Sequence, residues 1–378
     1  MSQIIPFNIA IPQAKIDHIR RRLAEYEWPP EPKGAGWAQG TQAKTLRELV
    51  KRWLVDFDWR AQEKMLNGHP QFIAEAGGIK LHYVHRRASI AAVAKTPVVL
   101  MHGWPSSFME YLDSAQKLQD DGHDVVIVSL PGFGFSDVPE SFIGPRKVSL
   151  MIHELMSNVL GYSRYAAHGS DWGSLIAGWL GFDFPDSCVG IHMTMLSPRF
   201  IAGGATEPAE QQWLGGFRER FADDGAYFQL QTSRPVTMGF LLSDSPVGLL
   251  AWMLEKFAAW SDPSQGDPSV FFLENAIADR MILNTMMYLV TGTAASSTWL
   301  YRGITLEGSP GYPDRKRVET PVCIAATKDP IFVPPPRSLV EKAYNVVRWT
   351  EYPHGGHFPG YDVPTLLADD ISAFVSSI

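Results

Sequence analysis

Cysteine is scarce in this chain, with only Cys188 and Cys323 among 378 residues. Each lies in an apolar, strand-like run, so two small buried thiols in a reducing compartment are expected, and a disulfide has no other sequence support. Long apolar runs are also missing. None reaches the roughly 18 residues needed to span a bilayer, and Met1-Ser2-Gln3-Ile4-Ile5-Pro6 lacks the basic start and apolar run of about 7 to 15 residues of a signal peptide. A cytoplasmic protein without a membrane anchor is the expectation. No basic block exceeds Arg20-Arg21-Arg22, and the net charge is −7, which speaks against nucleic acid or an anionic membrane as a partner. Neither a repeat nor a low-complexity segment interrupts the chain, and no metal or cofactor is expected.

Apolar bulk is abundant. A hydrophobic fraction of 45%, a charged fraction of 19% and 12 Trp describe a globular protein with aromatics suited to lining a pocket for a neutral small molecule. The length allows one large domain with an insertion, at roughly 150 residues per domain.

The first part of the chain reads as helical and wrapping rather than sheet-forming: Ile16, Ile19 and Leu23 recur at i, i+3, i+7. After the Pro-rich stop at Trp28 to Pro32, a second amphipathic run from Thr45 to Trp53 follows, with Thr45 as its N-cap. Strand alternation begins at Ile79 after the Gly77-Gly78 turn. Pro97 to Met101, Val125 to Leu130, Cys188 to Met193, Pro321 to Ala326 and Val346 to Thr350 are short apolar runs, as in parallel strands buried on both faces. The interval from Pro198 to Pro310 has helical periodicity and no strand, which suits an inserted lid. Its clearest helix is Pro246 to Trp260, capped by Ser245, with Leu249, Leu250, Met253, Leu254 and Phe257 inward. A helix after Pro364 closes the chain. The expected layout is an N-terminal meander over 1–70, a core over 71–197 and 306–378, and a lid over 198–305.

The chemistry centres on Gly169-Ser170-Asp171-Trp172-Gly173, a Gly-x-nucleophile-x-Gly frame between a strand-like and a helix-like run. This is the nucleophile elbow of the α/β-hydrolase fold, with an aspartate where serine is usual. A Cβ on the flanking glycines would clash with the neighbouring helix and strand. A carboxylate is ionised at neutral pH and can attack an sp³ carbon directly, giving an ester on Asp171. Hydrolysis of that ester needs a base and its orienting acid, in the chain order nucleophile, acid, histidine. Asp329, in the loop after the strand ending at Ala326, and His357, after the last strand, fill that order; His357 is preferred to His354 because two glycines precede it. Backbone N–H groups of Trp172 and of Trp104, in His102-Gly103-Trp104-Pro105, are the candidate oxyanion donors. Pro105 would fix the direction of that loop, with a cis bond as one way to do so. His102 itself reads as a packed loop residue, and Gly132-x-Gly134 as a tight turn rather than half of a phosphate loop.

The chain resembles the microsomal-type epoxide hydrolases nearly end to end. The segments that carry the likeness are Asp58-Trp59-Arg60-Ala61-Gln62-Glu63, His102-Gly103-Trp104-Pro105, Gly169 to Ser174, Asp244 to Leu249 and Gly355-Gly356-His357-Phe358-Pro359. The resemblance implies an α/β-hydrolase fold with a mostly parallel sheet, helices on both faces and a helical lid. It also implies hydrolysis of a small apolar epoxide by water, and two lid tyrosines that grip the epoxide oxygen. By position these are Tyr227 and Tyr301, with Tyr288 read as core. Ser106 departs from the family's usual glycine, and Ala325-Ala326-Thr327 is less aromatic than usual. A haloalkane dehalogenase-like hydrolase and an epoxide-opening cyclase are the alternative activities, and a homodimer is compatible with the sequence.

Overall fold

Nine stretches of the chain become strands in a single sheet. They are β1 (Ile5–Phe7), β2 (Gln71–Ala76), β3 (Ile79–Arg86), β4 (Lys95–Met101), β5 (His123–Val128), β6 (Tyr165–Gly169), β7 (Cys188–Met193), β8 (Val318–Ala326) and β9 (Tyr344–Glu351). The structure is a computed structural model and describes residues 3–88, 95–200, 204–308 and 311–378. Three residues of the expected lid, 201–203, and Pro310 at the end of the strand-free interval lie outside the described residues.

The strand order is β1-β2-β3-β5-β4-β6-β7-β8-β9. Pairing is antiparallel from β1 to β5 and parallel from β5 through β9. Val98 to Met101 in β4 and Val125 to Val128 in β5 are all fully buried. Successive side chains on a strand point to opposite faces, so burial of consecutive residues means that both faces are covered. Helix Trp172–Asp183 packs on β6 and β7 and against helix Pro145–His153, and helix Leu112–Asp120 packs against helix Pro364–Val375. This is the α/β-hydrolase architecture.

Between β7 and β8 the described residues hold no strand. Helices Pro208–Asp224, Ala226–Ser233, Pro235–Asp244, Pro246–Trp260, Asn275–Thr291 and Trp299–Leu306 form this region, three of them opening on a proline whose missing N–H has no intrahelical partner to lose. Ser245 caps Pro246–Trp260 by accepting from Gly248 N–H at 2.9 Å, and Leu249, Leu250, Met253, Leu254 and Phe257 are buried. The N-terminal region, with helices Gln13–Ala24, Ala43–Val55 and Trp59–Leu66, is tied to the region between β7 and β8 by polar contacts that include the following. Trp37 Nε1 donates to Ser269 Oγ at 2.9 Å, and the Arg52 fork grips Asp279 at 2.7 and 2.9 Å.

Four local readings are corrected. The first part of the chain is not wholly helical, because Ile5–Phe7 joins the sheet as an edge strand. At three residues with a central proline it is too short for alternation to show, and an edge position tolerates the missing N–H. Gln71–Ala76 is likewise a strand, where alternation was read only from Ile79. Thr45 is not an N-cap: helix Ala43–Val55 is capped at Gln42, and the buried Thr45 hydroxyl donates to the Gln42 side chain at 2.7 Å. Finally, β5 ends at Val128, two residues short of the expected Leu130, with Ser129 N–H still donating to His82 O of β3 at 2.9 Å. The cysteines are free buried thiols.

Two glycines fix how closely the helix after β6 meets the sheet. A Cβ on Gly169 would lie 2.0 Å from the backbone carbon of Gly173, and one on Gly173 would lie 1.9 Å from the carbonyl oxygen of Met101 in β4. Backbone cannot yield as a flexible side-chain tip can. Gly173→Ala is therefore expected to lose about 1 to 3 kcal/mol of unfolding free energy or more. Gly215→Ala, in another helix with nothing within 4 Å of the added methyl, should gain roughly 0.4 to 1 kcal/mol. Urea unfolding midpoints measure both, and equal midpoints would remove close approach as the reason for glycine at 173.

Candidate active site

Asp171 stands between the end of β6 and the start of helix Trp172–Asp183, with φ 48° and ψ −122°. A non-glycine residue in this region carries strain on the order of 1 to 3 kcal/mol and persists only where its surroundings over-determine it. They do so here. Ser174 Oγ donates to Gly169 O at 2.6 Å and accepts from Met195 N–H at 3.3 Å, locking the helix start to the ends of β6 and β7. The side chain of Asp171 is thereby set at the N-terminal end of a helix, where the aligned peptide dipoles favour negative charge. The residue is only 7% exposed.

The structure brings the predicted partners to this carboxylate. Trp104 N–H donates to Asp171 Oδ1 at 2.8 Å. Trp172 is the first residue of the helix, so its N–H has no intrahelical acceptor. His357 Nε2 lies 3.4 Å from Asp171 Oδ2, within ion-pair range but not aligned as a hydrogen bond. On its other side His357 Nδ1 meets Asp329 Oδ2 at 2.5 Å. Asp329 is oriented in turn by Ile331 N–H and Phe332 N–H, which donate to its Oδ1 at 2.8 and 2.9 Å. His357 N–H donates to Trp260 O at 2.9 Å, and the imidazole packs on Trp260 with ring centroids 4.8 Å apart. His354 is exposed and takes no part. Burial alone would drive the His357 imidazole down, but the two carboxylates outweigh it and raise it from 6.5 to about 10.

Tyr227 and Tyr301 come from two different helices and meet over the same place. Their ring centroids are 5.9 Å apart, Tyr227 stacks on Trp104 at 5.4 Å and 9°, and Tyr301 stands edge-on to Trp172 at 4.8 Å. The Tyr301 hydroxyl and the Trp172 indole N–H are buried without a hydrogen-bond partner among the described residues. Burial, then the Asp171 charge for Tyr227 and the neighbouring phenol and Asp171 for Tyr301, hold both hydroxyls protonated, well above the usual phenol range. Both line a cavity of about 200 Å³ with Asp171, whose wall includes Trp172, Leu175, Phe217 and Phe332. A larger groove of about 1080 Å³ contains Asp329 but neither Asp171 nor either phenol. Tyr288 lies outside the cavity wall: its hydroxyl donates to Ser106 O and steadies the loop after the cis Trp104-Pro105 bond. Asn284 donates to Pro105 O at 2.7 Å in the same support. His102 is packed, its Nε2 accepting from Leu130 N–H at 3.3 Å.

Three residues at the site carry no motif. Lys256 is buried, pairs with Asp224 at 2.9 Å, and sits 4.8 Å from the Tyr227 ring centroid. Its signal was a lone cation on the inward stripe of Pro246–Trp260, between Met253 and Trp260, and the apolar period masked it. Glu110 is 1% exposed, its Oε2 has no hydrogen-bond partner among the described residues, and burial raises it to about 7. Arg199 lines the cavity from the turn after β7.

The raised imidazole makes stability depend on pH in a defined direction. Its contribution is present in full below the unfolded value near 6.5, and is lost as pH rises through the folded value of about 10. The stability advantage of the wild type over His357→Gln should thus be largest near pH 6 and shrink steadily toward pH 10. Chemical denaturation across that range measures it, and an advantage that grows with pH would contradict the imidazolium.

Family models match the chain almost throughout, that of the epoxide hydrolase N terminus over residues 4–111 and that of the alpha/beta hydrolase fold over residues 96–364. The chain is 29% identical over 402 residues to juvenile hormone epoxide hydrolase 2 of Ctenocephalides felis, covering 98% of this chain and 85% of that one. It is 29% identical over 408 residues to epoxide hydrolase 1 of Oryctolagus cuniculus, covering 99% and 89%. The crystal structure of juvenile hormone epoxide hydrolase from the silkworm Bombyx mori superposes with a TM-score of 0.86 at 26% identity, over 100% of this chain and 95% of that one. With an N-terminal meander, an α/β-hydrolase core and these relatives along its full length, the chain is an enzyme that belongs to the microsomal-type epoxide hydrolases.

Proposed function

We propose that the reaction runs through an alkyl-enzyme ester on Asp171 and yields a vicinal diol. The observation that supports this reading best is the asymmetry of the carboxylate: Oδ1 is held by Trp104 N–H at 2.8 Å, while Oδ2 faces His357 Nε2 at the longer distance of 3.4 Å. Oδ2 attacks a ring carbon, the C–O bond of the epoxide breaks, and Tyr227 or Tyr301 gives its proton to the alkoxide. Oδ1 is then the ester carbonyl oxygen, already in place for the donors that stabilise an oxyanion.

Ester formation also switches the base on. In the free enzyme His357 lies between two carboxylates and is an imidazolium. When Asp171 becomes a neutral ester, one of those charges is gone and the imidazole's hold on its proton weakens. That proton returns to the phenolate through water. The neutral imidazole, oriented by Asp329, takes a proton from a water molecule that attacks the ester carbon. Collapse of the oxyanion breaks the ester bond, the imidazolium protonates the leaving alkoxide, and the carboxylic acid left on Asp171 gives its proton back to the His357 imidazole. Epoxide and water go in, a diol comes out, and every proton is restored.

A single turnover in oxygen-18 water tests the ester. Label should enter Asp171 and be absent from the first-turnover diol; the reverse pattern excludes the covalent route. Asp171→Asn should lose turnover by several orders of magnitude. The double variant Tyr227→Phe/Tyr301→Phe should slow ester formation by about a hundred- to ten-thousandfold in a rapid-quench assay. The buried, unpartnered Trp172 indole N–H is the one feature that would also suit a halide leaving group. Halide release from a chloroalkane that survives loss of both phenols would favour that second reading.

A further inference from the structure

Among the described residues, the cavity wall contains one cation. Arg199 follows β7, which pairs with β6 so that Met193 lies beside Gly169 of the elbow. It is partly buried among Leu175, Pro198, Phe217, Phe221 and Ile304 on the same wall. Only Nη2 of its guanidinium has a partner among the described residues, the carbonyl of Ile304 at 3.3 Å, and Nε is buried with none. No carboxylate of a described residue lies within 4.0 Å of it. Glu307 is the acid whose charge reaches it, and both Glu307 oxygens are taken by Arg146 N–H and Lys147 N–H at 3.2 and 2.9 Å. A planar cation with unspent donors, partly withdrawn from water and surrounded by hydrocarbon, has a built complement only when an acceptor arrives.

We propose that Arg199 is a substrate-binding residue for a carboxylate, so that the preferred substrates are epoxides carrying an acidic group on a short apolar body; this rests on the epoxide reading above. A charged acceptor gains more from such a cation than a neutral carbonyl does, and two carboxylate oxygens match the guanidinium fork. A phosphate fits less well, because its second charge would stand uncompensated near Asp171. The cavity of about 200 Å³ is below the roughly 300 to 1,000 Å³ typical of drug-sized ligands, which limits the apolar body.

The test uses terminal epoxyalkanoates of six, eight and ten carbons, their methyl esters, and styrene oxide as a neutral reference. For at least one chain length the wild type should show a KM for the carboxylate about 10- to 100-fold below that for its ester, with similar kcat. In Arg199→Met the carboxylate-to-ester ratio of kcat/KM should fall to about one, and Arg199→Lys should retain part of the preference. A second measurement needs no variant: octanoate should inhibit the wild type about tenfold more strongly than octanamide. Turnover of the esters and styrene oxide without carboxylate preference, a ratio unmoved by Arg199→Met, or equal inhibition by octanoate and octanamide would overturn the carboxylate site and leave the epoxide reading standing. A wild type that turns over none of the epoxides would overturn both.

Discussion

One buried imidazole between two carboxylates sets the electrostatics of this site. His357 is 3% exposed and has Asp329 at 2.5 Å on one nitrogen and Asp171 at 3.4 Å on the other. Burying a charge is unfavourable unless partners compensate it, and here the imidazolium compensates two acids at once. The arrangement tolerates the loss of either negative charge only by loosening the proton. A reaction that neutralises Asp171 therefore changes the state of the histidine without any movement of the chain. The electrostatic coupling, more than the identity of any one residue, would suit the site to the two steps proposed above, which need opposite protonation states.

The rest of the fold keeps these groups from relaxing. Asp171 is held in a left-handed backbone conformation by a strand end, a helix start and two glycines that allow backbone to touch backbone. Asp329 and His357 leave the ends of β8 and β9, parallel neighbours of β7, so the three groups converge where the carboxyl ends of the strands meet. The phenols come from helices of the region between β7 and β8, and Trp104, Trp172 and Trp260 fill the space between them and the triad with rigid rings. A water-poor, aromatic setting strengthens each charge–charge and charge–dipole interaction within it. The N-terminal helices, which carry no candidate catalytic group, pack against helices Pro246–Trp260 and Asn275–Thr291 of the same region.

Much of this was legible in the residues. The Gly-x-Asp-x-Gly frame, the chain order of Asp171, Asp329 and His357, and the helix Pro246–Trp260 with its Ser245 cap follow from steric and capping rules that act over a few residues. So do the continuous apolar strands β4 through β8, because burial on both faces leaves no room for polar alternation. The failures are equally local in cause. Ile5–Phe7 is a strand because β2 offers it an edge, and Thr45 faces the interior because helix Ala43–Val55 begins earlier than its apolar period suggests. Tyr227 and Tyr301 were placed by resemblance alone, since two tyrosines 74 positions apart share no periodicity.

By itself, then, the sequence determined the class of fold and marked Asp171, Asp329 and His357 as candidates, because each is written in spacings that steric exclusion and hydrogen bonding impose on neighbouring residues. Only the tertiary structure decided that the two phenols meet, that Lys256 lies over one of their rings, that Glu110 is buried, and that Arg199 lines the same cavity as Asp171 and the phenols. The physical reason is distance along the chain. These groups come from elements dozens to hundreds of residues apart, and their chemistry depends on burial and charge that exist only once the sheet and the helices above it have closed around them.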